Sequence, residues 1–209
     1  MEESEGMKTF IQHVNEVKLS AGLLSTALAA SIAIGSPAMA TTTTPRPQTT
    51  QQTYQNTTAW KLLISKYEGF KTEAYWDKTG KVWTIGKGST THPDGRPVKQ
   101  GDRITKQQAD QYMEHYVNTK VIPKLKLIPN WNLMNSNQQS ALISFAYNVG
   151  PGFYGKSGFE SITMALSSSD HWKEVPTALA KYNKSKGQVL PGLIKRRAAE
   201  GDLWLKRNR

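Results

Sequence analysis

The chain of 209 residues contains no cysteine. Disulfides and thiolate metal sites are therefore excluded, and any fold must be held by its core alone. Histidine is scarce, and His92, His115 and His171 are scattered without the spacing of metal ligands, so a zinc site is not expected. No stretch reaches the ~20 strongly apolar residues that a membrane-spanning helix wants. No internal repeat is present. Acidic residues are also few, 16 against 27 Lys and Arg, for a formal net charge of +11. Residues 1–40 carry −2, so the remainder carries +13. Such a field favours polyanions: nucleic acid, anionic lipid or the acidic polymers of a bacterial envelope. The basic residues form no patch interleaved with aromatics, which speaks against a nucleic-acid partner.

What is present suits one soluble globular domain with an N-terminal extension, at 37% hydrophobic and 21% charged residues. Leu19 to Ile34 is a weakly apolar run rich in Ala, Ser and Gly. Lys8 and Lys18 precede it, Pro37 breaks it, and Ala38-Met39-Ala40 supplies the small residues of a cut site. Residues 1–40 are thus expected to be a secretory signal, or alternatively a retained anchor in transient contact with a membrane. Residues 41–58, "TTTTPRPQTTQQTYQNTT", have little to bury and read as a linker. The folded domain is expected over residues 59–209.

Within it, Trp60, Leu63, Ile64 and Tyr67 recur at helical spacing, and Gly69 is the expected stop. Glu68 then falls in the last helical turn, where a carboxylate opposes the negative end of the helix dipole. A residue placed against that preference points to chemistry. "EAYWDKTGKVWTIGKG" switches to strand formers around a Lys78-Thr79-Gly80-Lys81 turn, which predicts a hairpin. A second turn at Asp94-Gly95 extends the expected antiparallel sheet from Ala74 to about Gln100. Helices follow. One is capped by Thr105 and broken or kinked at Pro123. A buried central helix has a Ser136/Gln139 capping box and stops at Gly150. Three more run from Gly158, Trp172 and Pro191. The predicted class is α+β: a mostly helical lobe, a small antiparallel hairpin sheet, and a cleft between them.

Hydrolysis of a glycosidic bond needs a proton for the leaving oxygen and a carboxylate across the sugar. An inverting enzyme separates the two carboxyls by ~6.5–9.5 Å so that a water fits between. Glu68 at a helix end and Asp77 in the hairpin suit that task, with Thr84 on the returning strand to orient the water. The order Glu68, eight residues, Asp77, then Thr84 in "WTIGKG" resembles the phage-type lysozymes of glycoside hydrolase family 24. "NQQSALISFAYNVGPGFYGKSGF" is similar to that family's central helix and following turn. "GLIKRRAAEGDLWL" is similar to its Arg-rich closing helix. The resemblance spans about Ala59 to Leu205, in three blocks in the right order.

The resemblance implies that Glu68 is the general acid, Asp77 the general base and Thr84 the water-positioning residue. It implies peptidoglycan as substrate, cut between N-acetylmuramic acid and N-acetylglucosamine, with no cofactor and an endolysin-like role for a monomeric exported protein. A lytic transglycosylase or a non-catalytic wall-binding protein are the alternatives. Two departures stand out: six residues instead of five separate Asp77 from Thr84, and Lys87 and Ser89 replace the family's aromatic and His. Asn148 is expected either to bond a substrate acetamido group or to cap its helix. Lys195-Arg196-Arg197 reads as a solvated helix face.

Overall fold

A computed structural model describes residues 58–78 and 80–207. The signal and nearly all of the linker fall on residues 1–57, outside the described residues. The elements run α1 (Thr58–Glu68), β1 (Lys71–Asp77), β2 (Val82–Gly86), α2 (Lys106–Tyr116), α3 (Ile122–Leu125), α4 (Ser136–Val149), α5 (Glu160–Leu166), α6 (Val175–Ala180), β3 (Lys184–Ser185), β4 (Gln188–Val189) and α7 (Pro191–Leu205). This is the expected α+β class, mostly helical with a small antiparallel sheet. No helix among the described residues is long and apolar enough to cross a membrane.

α4 is the centre. Ten of its fourteen residues are buried, from Gln139 to Asn148, because α1, α7 and the segment before α3 all pack on it. α1 buries Trp60, Ile64 and Tyr67 and ends at Gly69, whose φ of 66° gives the left-handed turn that a helix stop favours. A second, smaller core of Ile85, Val98, Ile104 and Ala109 lies under the hairpin, joined by Phe70, Ala74, Trp83 and Tyr112. The helix through α2 spans the two cores.

Four details differ from the sequence expectations. The sheet starts at Lys71 rather than Ala74 and has two strands; around the Asp94-Gly95 turn the chain makes isolated bridges instead of strands, Thr91 with Pro97, Ser89 with Ile85 of β2 and Arg103 with Glu73 of β1. Pro93 and Pro97 have no N–H to extend a ladder. The cap of α4 is Asn135 paired with Gln138, one residue earlier than the Ser136/Gln139 pair. Gln139 is buried, and its Nε2 donates to the Trp131 carbonyl at 3.1 Å. The chain does not break at Pro123. It passes through a π-helical turn, Val117–Val121, in which the Ile122 N–H donates to the Val117 carbonyl, and Pro123 then sits in the first turn of α3. The wider turn accommodates the ring, which would otherwise press on the carbonyl four residues back. Finally, the two-residue hairpin β3–β4 carries no apolar alternation that would have announced it.

Gly86 ends β2 with φ 65°, and a methyl group there would lie 3.0 Å from Ile104 Cδ1 and 3.1 Å from Ala109 Cβ. Gly95 has a similar φ of 87° with open space around it. Denaturant unfolding of Gly86→Ala and Gly95→Ala separates the two costs. Gly95→Ala is expected to lose about 1 kcal/mol from backbone strain alone, and Gly86→Ala roughly 1–3 kcal/mol more from overpacking.

Candidate active site

The final turn of α1 delivers Glu68 into the interior, where its side chain is 3% exposed. Burial pushes its carboxyl above the ordinary range; Arg196 and Arg197 pull it back, and Glu200 adds to the rise. Burial prevails, because removing a carboxylate from water costs more than one partner returns. Arg196 makes the direct bond, Nη1 donating to Glu68 Oε1 at 2.5 Å.

The hairpin supplies the facing groups. Tyr75 pairs with Thr84 and Asp77 with Val82 across the ladder, so Tyr75, Asp77 and Thr84 share one face. The Tyr75 hydroxyl is pushed up to about 12, first by burial, then by Asp77 and Glu68. It thus stays protonated, with the charges of both Asp77 and Glu68 acting on it. Thr84 is buried, and its hydroxyl donates to the Val82 carbonyl at a long 3.4 Å. Trp76 and Trp83 occupy the other face, edge to face at 5.7 Å, and Trp83 packs on the small core.

The closing helix corrects one expectation. Lys195 is exposed, but Arg196 and Arg197 are each 1% exposed and are not a solvated face. With Glu200, at 0% exposure, they form a buried polar seam facing α4. The i, i+4 and i, i+3 spacings put all three on one side of α7. Glu200 Oε1 accepts from Arg196 Nε at 3.2 Å, Arg197 Nη2 at 3.2 Å and Ser144 Oγ at 2.7 Å. Its Oε2 lies 2.9 Å from Arg197 Nε, close enough for an ion pair but not aligned for a hydrogen bond. The Arg196 Nη2 donates to the Ser144 carbonyl at 3.0 Å. Burial lowers Arg197 to about 10, still a cation at neutral pH, and its guanidinium lies over the Phe145 ring at 4.7 Å.

Asn148 belongs to the same seam. It is 2% exposed, and its Oδ1 accepts from Arg197 Nη2 at 2.9 Å. The helix end is closed instead by the Gly150 N–H on the Ala146 carbonyl. Asn148 therefore belongs to the buried network rather than capping its helix, and it also lines a small cavity of about 130 Å³ beside Phe159, Tyr182 and Leu193.

The family departures are absorbed locally. Lys87 is buried, and its ammonium bonds Ser65 of α1 at 2.5 Å and the carboxylate of Asp110 on α2. His92 sits 2.9 Å from Asp102 and 2.8 Å from the Tyr112 hydroxyl. Between the 88–95 loop, α2 and α4 lies a cavity of about 580 Å³, lined by hydroxyl and imidazole groups that include Ser89, Thr91, His115, Tyr116 and Tyr147. Glu68, Asp77 and Thr84 do not line it. Tyr147 is the shared wall: its hydroxyl donates to the Lys87 carbonyl at 3.0 Å, and after burial Glu68 is the group that most raises its phenol. Among the described residues, no cluster of three or more His, Asp or Glu is arranged to hold a metal.

Sequence reasoning missed Arg196, Arg197, Glu200 and Lys87 as site residues. The Arg-Arg-x-x-Glu spacing on one helix face was the signal for the first three. Nothing local announced Lys87.

The profile of the phage lysozyme family matches residues 65–200. An endolysin of Bacillus phage B103 is 32% identical over 146 residues, 68% of this chain and 51% of that protein. The chain thus spans about half the length of that relative. A protein named SAR-endolysin from Haemophilus phage HP1 is 28% identical over 75% of this chain and 84% of its own. The solved endolysin of the Escherichia coli O157:H7 phage FAHEc1 superposes with a TM-score of 0.57 at 29% identity, covering 71% of this chain and 92% of its own. A family profile that covers more than half of the sequence, over a fold shared with a solved endolysin, identifies the chain as a member of the phage lysozyme family.

Proposed function

We propose that this protein is a peptidoglycan hydrolase, an N-acetylmuramidase that cuts the β-1,4 bond between N-acetylmuramic acid and N-acetylglucosamine with inversion. The reading is supported by a buried carboxyl, Glu68, raised by burial at the end of α1, with Asp77 and Thr84 sharing one face of the hairpin that follows it. A raised carboxyl holds its proton near neutral pH and gives it to the leaving glycosidic oxygen. Asp77, half-buried at the end of β1, takes a proton from the attacking water. The Thr84 hydroxyl, only loosely held by Val82, orients that water. The C–O bond breaks as the water oxygen bonds to C1 from the opposite face, so the product is the α-anomer. Bulk water then returns a proton to Glu68 and removes one from Asp77. The cavity walled by Tyr147 seats the adjoining glycan through its hydroxyl and aromatic groups. The +13 carried outside residues 1–40 draws the enzyme to the acidic wall.

Residues 1–40 serve as the export signal, cleaved or kept for a time as an anchor, and residues 41–58 as the linker to the catalytic domain. The setting is lysis of a host from its own side of the wall, by a monomer.

Digestion of purified peptidoglycan tests the chemistry. New reducing ends that first appear as the α-anomer are expected. A 1,6-anhydro product identifies a transglycosylase, and binding without any product identifies a wall-binding module. Glu68→Gln keeps an acceptor for Arg196 and is expected to lose about 10²–10⁴ in rate. Asp77→Asn is expected to lose most of the rate, and a negligible loss there removes the general base. Intact mass of the exported protein is expected to begin near Thr41; retention of Leu19 to Ala40 means an anchor instead.

A further inference from the structure

Two guanidinium groups lie buried beside the proposed proton donor, and both favour its ionised form. Burial holds that carboxyl up against them, and a counter-charge on the arginines adds to the same effect. Glu200 is placed to do this. It is fully buried and held from three sides by Arg196, Arg197 and Ser144. Its contacts take the Nε edge of Arg196, leaving Nη1 to Glu68 and Nη2 to the Ser144 carbonyl. Every face of that guanidinium is thereby assigned.

We propose that Glu200 is a positioning residue for the proton donor: its carboxylate balances Arg196 and Arg197, aims Arg196 at Glu68, and so lets Glu68 keep its proton at the pH where the enzyme works. The inference rests on the reading of Glu68 as general acid.

The charged and titratable groups around Glu68 come from three elements. α7 contributes Arg196, Arg197 and Glu200. β1 contributes Tyr75, with Asp77 on the same strand face. α4 contributes Tyr147. Both phenols are raised by burial and stay neutral, so they do not set the balance. Asp77 belongs to the hairpin, whereas Glu200 touches the same arginine that touches Glu68. In charge terms the seam is two cations and two carboxylates. Protonating Glu68 leaves a single net positive charge shared by two arginines with Glu200 between them. Without Glu200 it would leave two uncompensated buried cations, the least favourable arrangement in a medium of low polarity.

Opposite signs give the test. The alkaline limb of the rate profile on purified peptidoglycan, and the carboxyl carbon-13 titration of Glu68, are followed in three variants. Glu200→Gln is expected to move both to lower pH, on the order of one unit. Arg197→Met is expected to move both upward by a similar amount. The double variant is expected to return them close to the starting values. A purely structural role would lower the melting temperature and the rate at every pH while leaving limb and titration where they were, and that outcome overturns the inference. Should Glu200→Gln fail to fold, Arg197→Met alone decides: an upward move supports the proposal and an unmoved titration refutes it. Activity surviving in Glu68→Gln would instead refute the donor assignment, while the titration would still report on Glu200.

Discussion

Glu68 and Arg196 meet at 2.5 Å with neither side chain in water. A dry carboxyl is what an acid needs if it is to hold a proton near neutral pH, and a dry carboxylate without a partner is what a fold cannot tolerate. The pair answers both demands, since Arg196 orients the carboxyl and burial still prevails over its charge. The polar residues along the seam between α4 and α7 follow from that pair. A buried guanidinium has more donors than one carboxylate can take, so Ser144 and Glu200 receive the others. A second arginine then pairs with Glu200, and Asn148 accepts one of its hydrogen bonds. This is why the central helix, apolar on most sides, carries Ser144 and Asn148 toward α7.

The partners come from opposite ends of the domain, 128 residues apart in sequence. The acid arrives on the first helix and its guanidinium on the last. Lys87 plays a comparable part within the first half, tying the residue after β2 to both α1 and α2. In a protein without cysteine, these buried polar bonds are the crosslinks that hold the hairpin, the acid helix and the closing helix in register, and each acts only when its surroundings are already dry.

Much of this was legible beforehand. The stripe of Trp60, Ile64 and Tyr67 gave α1, Gly69 its stop, and Glu68 its odd position against the helix dipole. Strand formers either side of a Lys-Thr-Gly-Lys turn gave the hairpin. Thr105 gave a helix start that needs only local chemistry, and Gln108 completes its capping box. What failed was whatever depended on distant neighbours. A run of Lys-Arg-Arg is solvated unless another element covers it, and nothing within α7 says that α4 will. Asn148 at a helix end invites a capping role until Arg197 reaches it. The Ser136/Gln139 cap was displaced because Gln139 is drawn inward by the Trp131 carbonyl, a contact set by tertiary packing. The widening before Pro123 was half visible, since proline announces a defect without saying how the chain will absorb it.

That widening has a geometric corollary. Each residue of a regular helix advances the side-chain direction by about 100°. A π turn holds one residue more than the turn it replaces. Ala109 and Tyr112 before it serve the hairpin side, and α3 after it, with Ile122 and Leu125 buried, packs on the side of α4. The azimuth of one half of the molecule about the other is therefore written in a single extra amino acid. Deleting one codon between Val117 and Val121 would twist the halves apart by about a quarter of a revolution, with every side chain of both interiors still encoded.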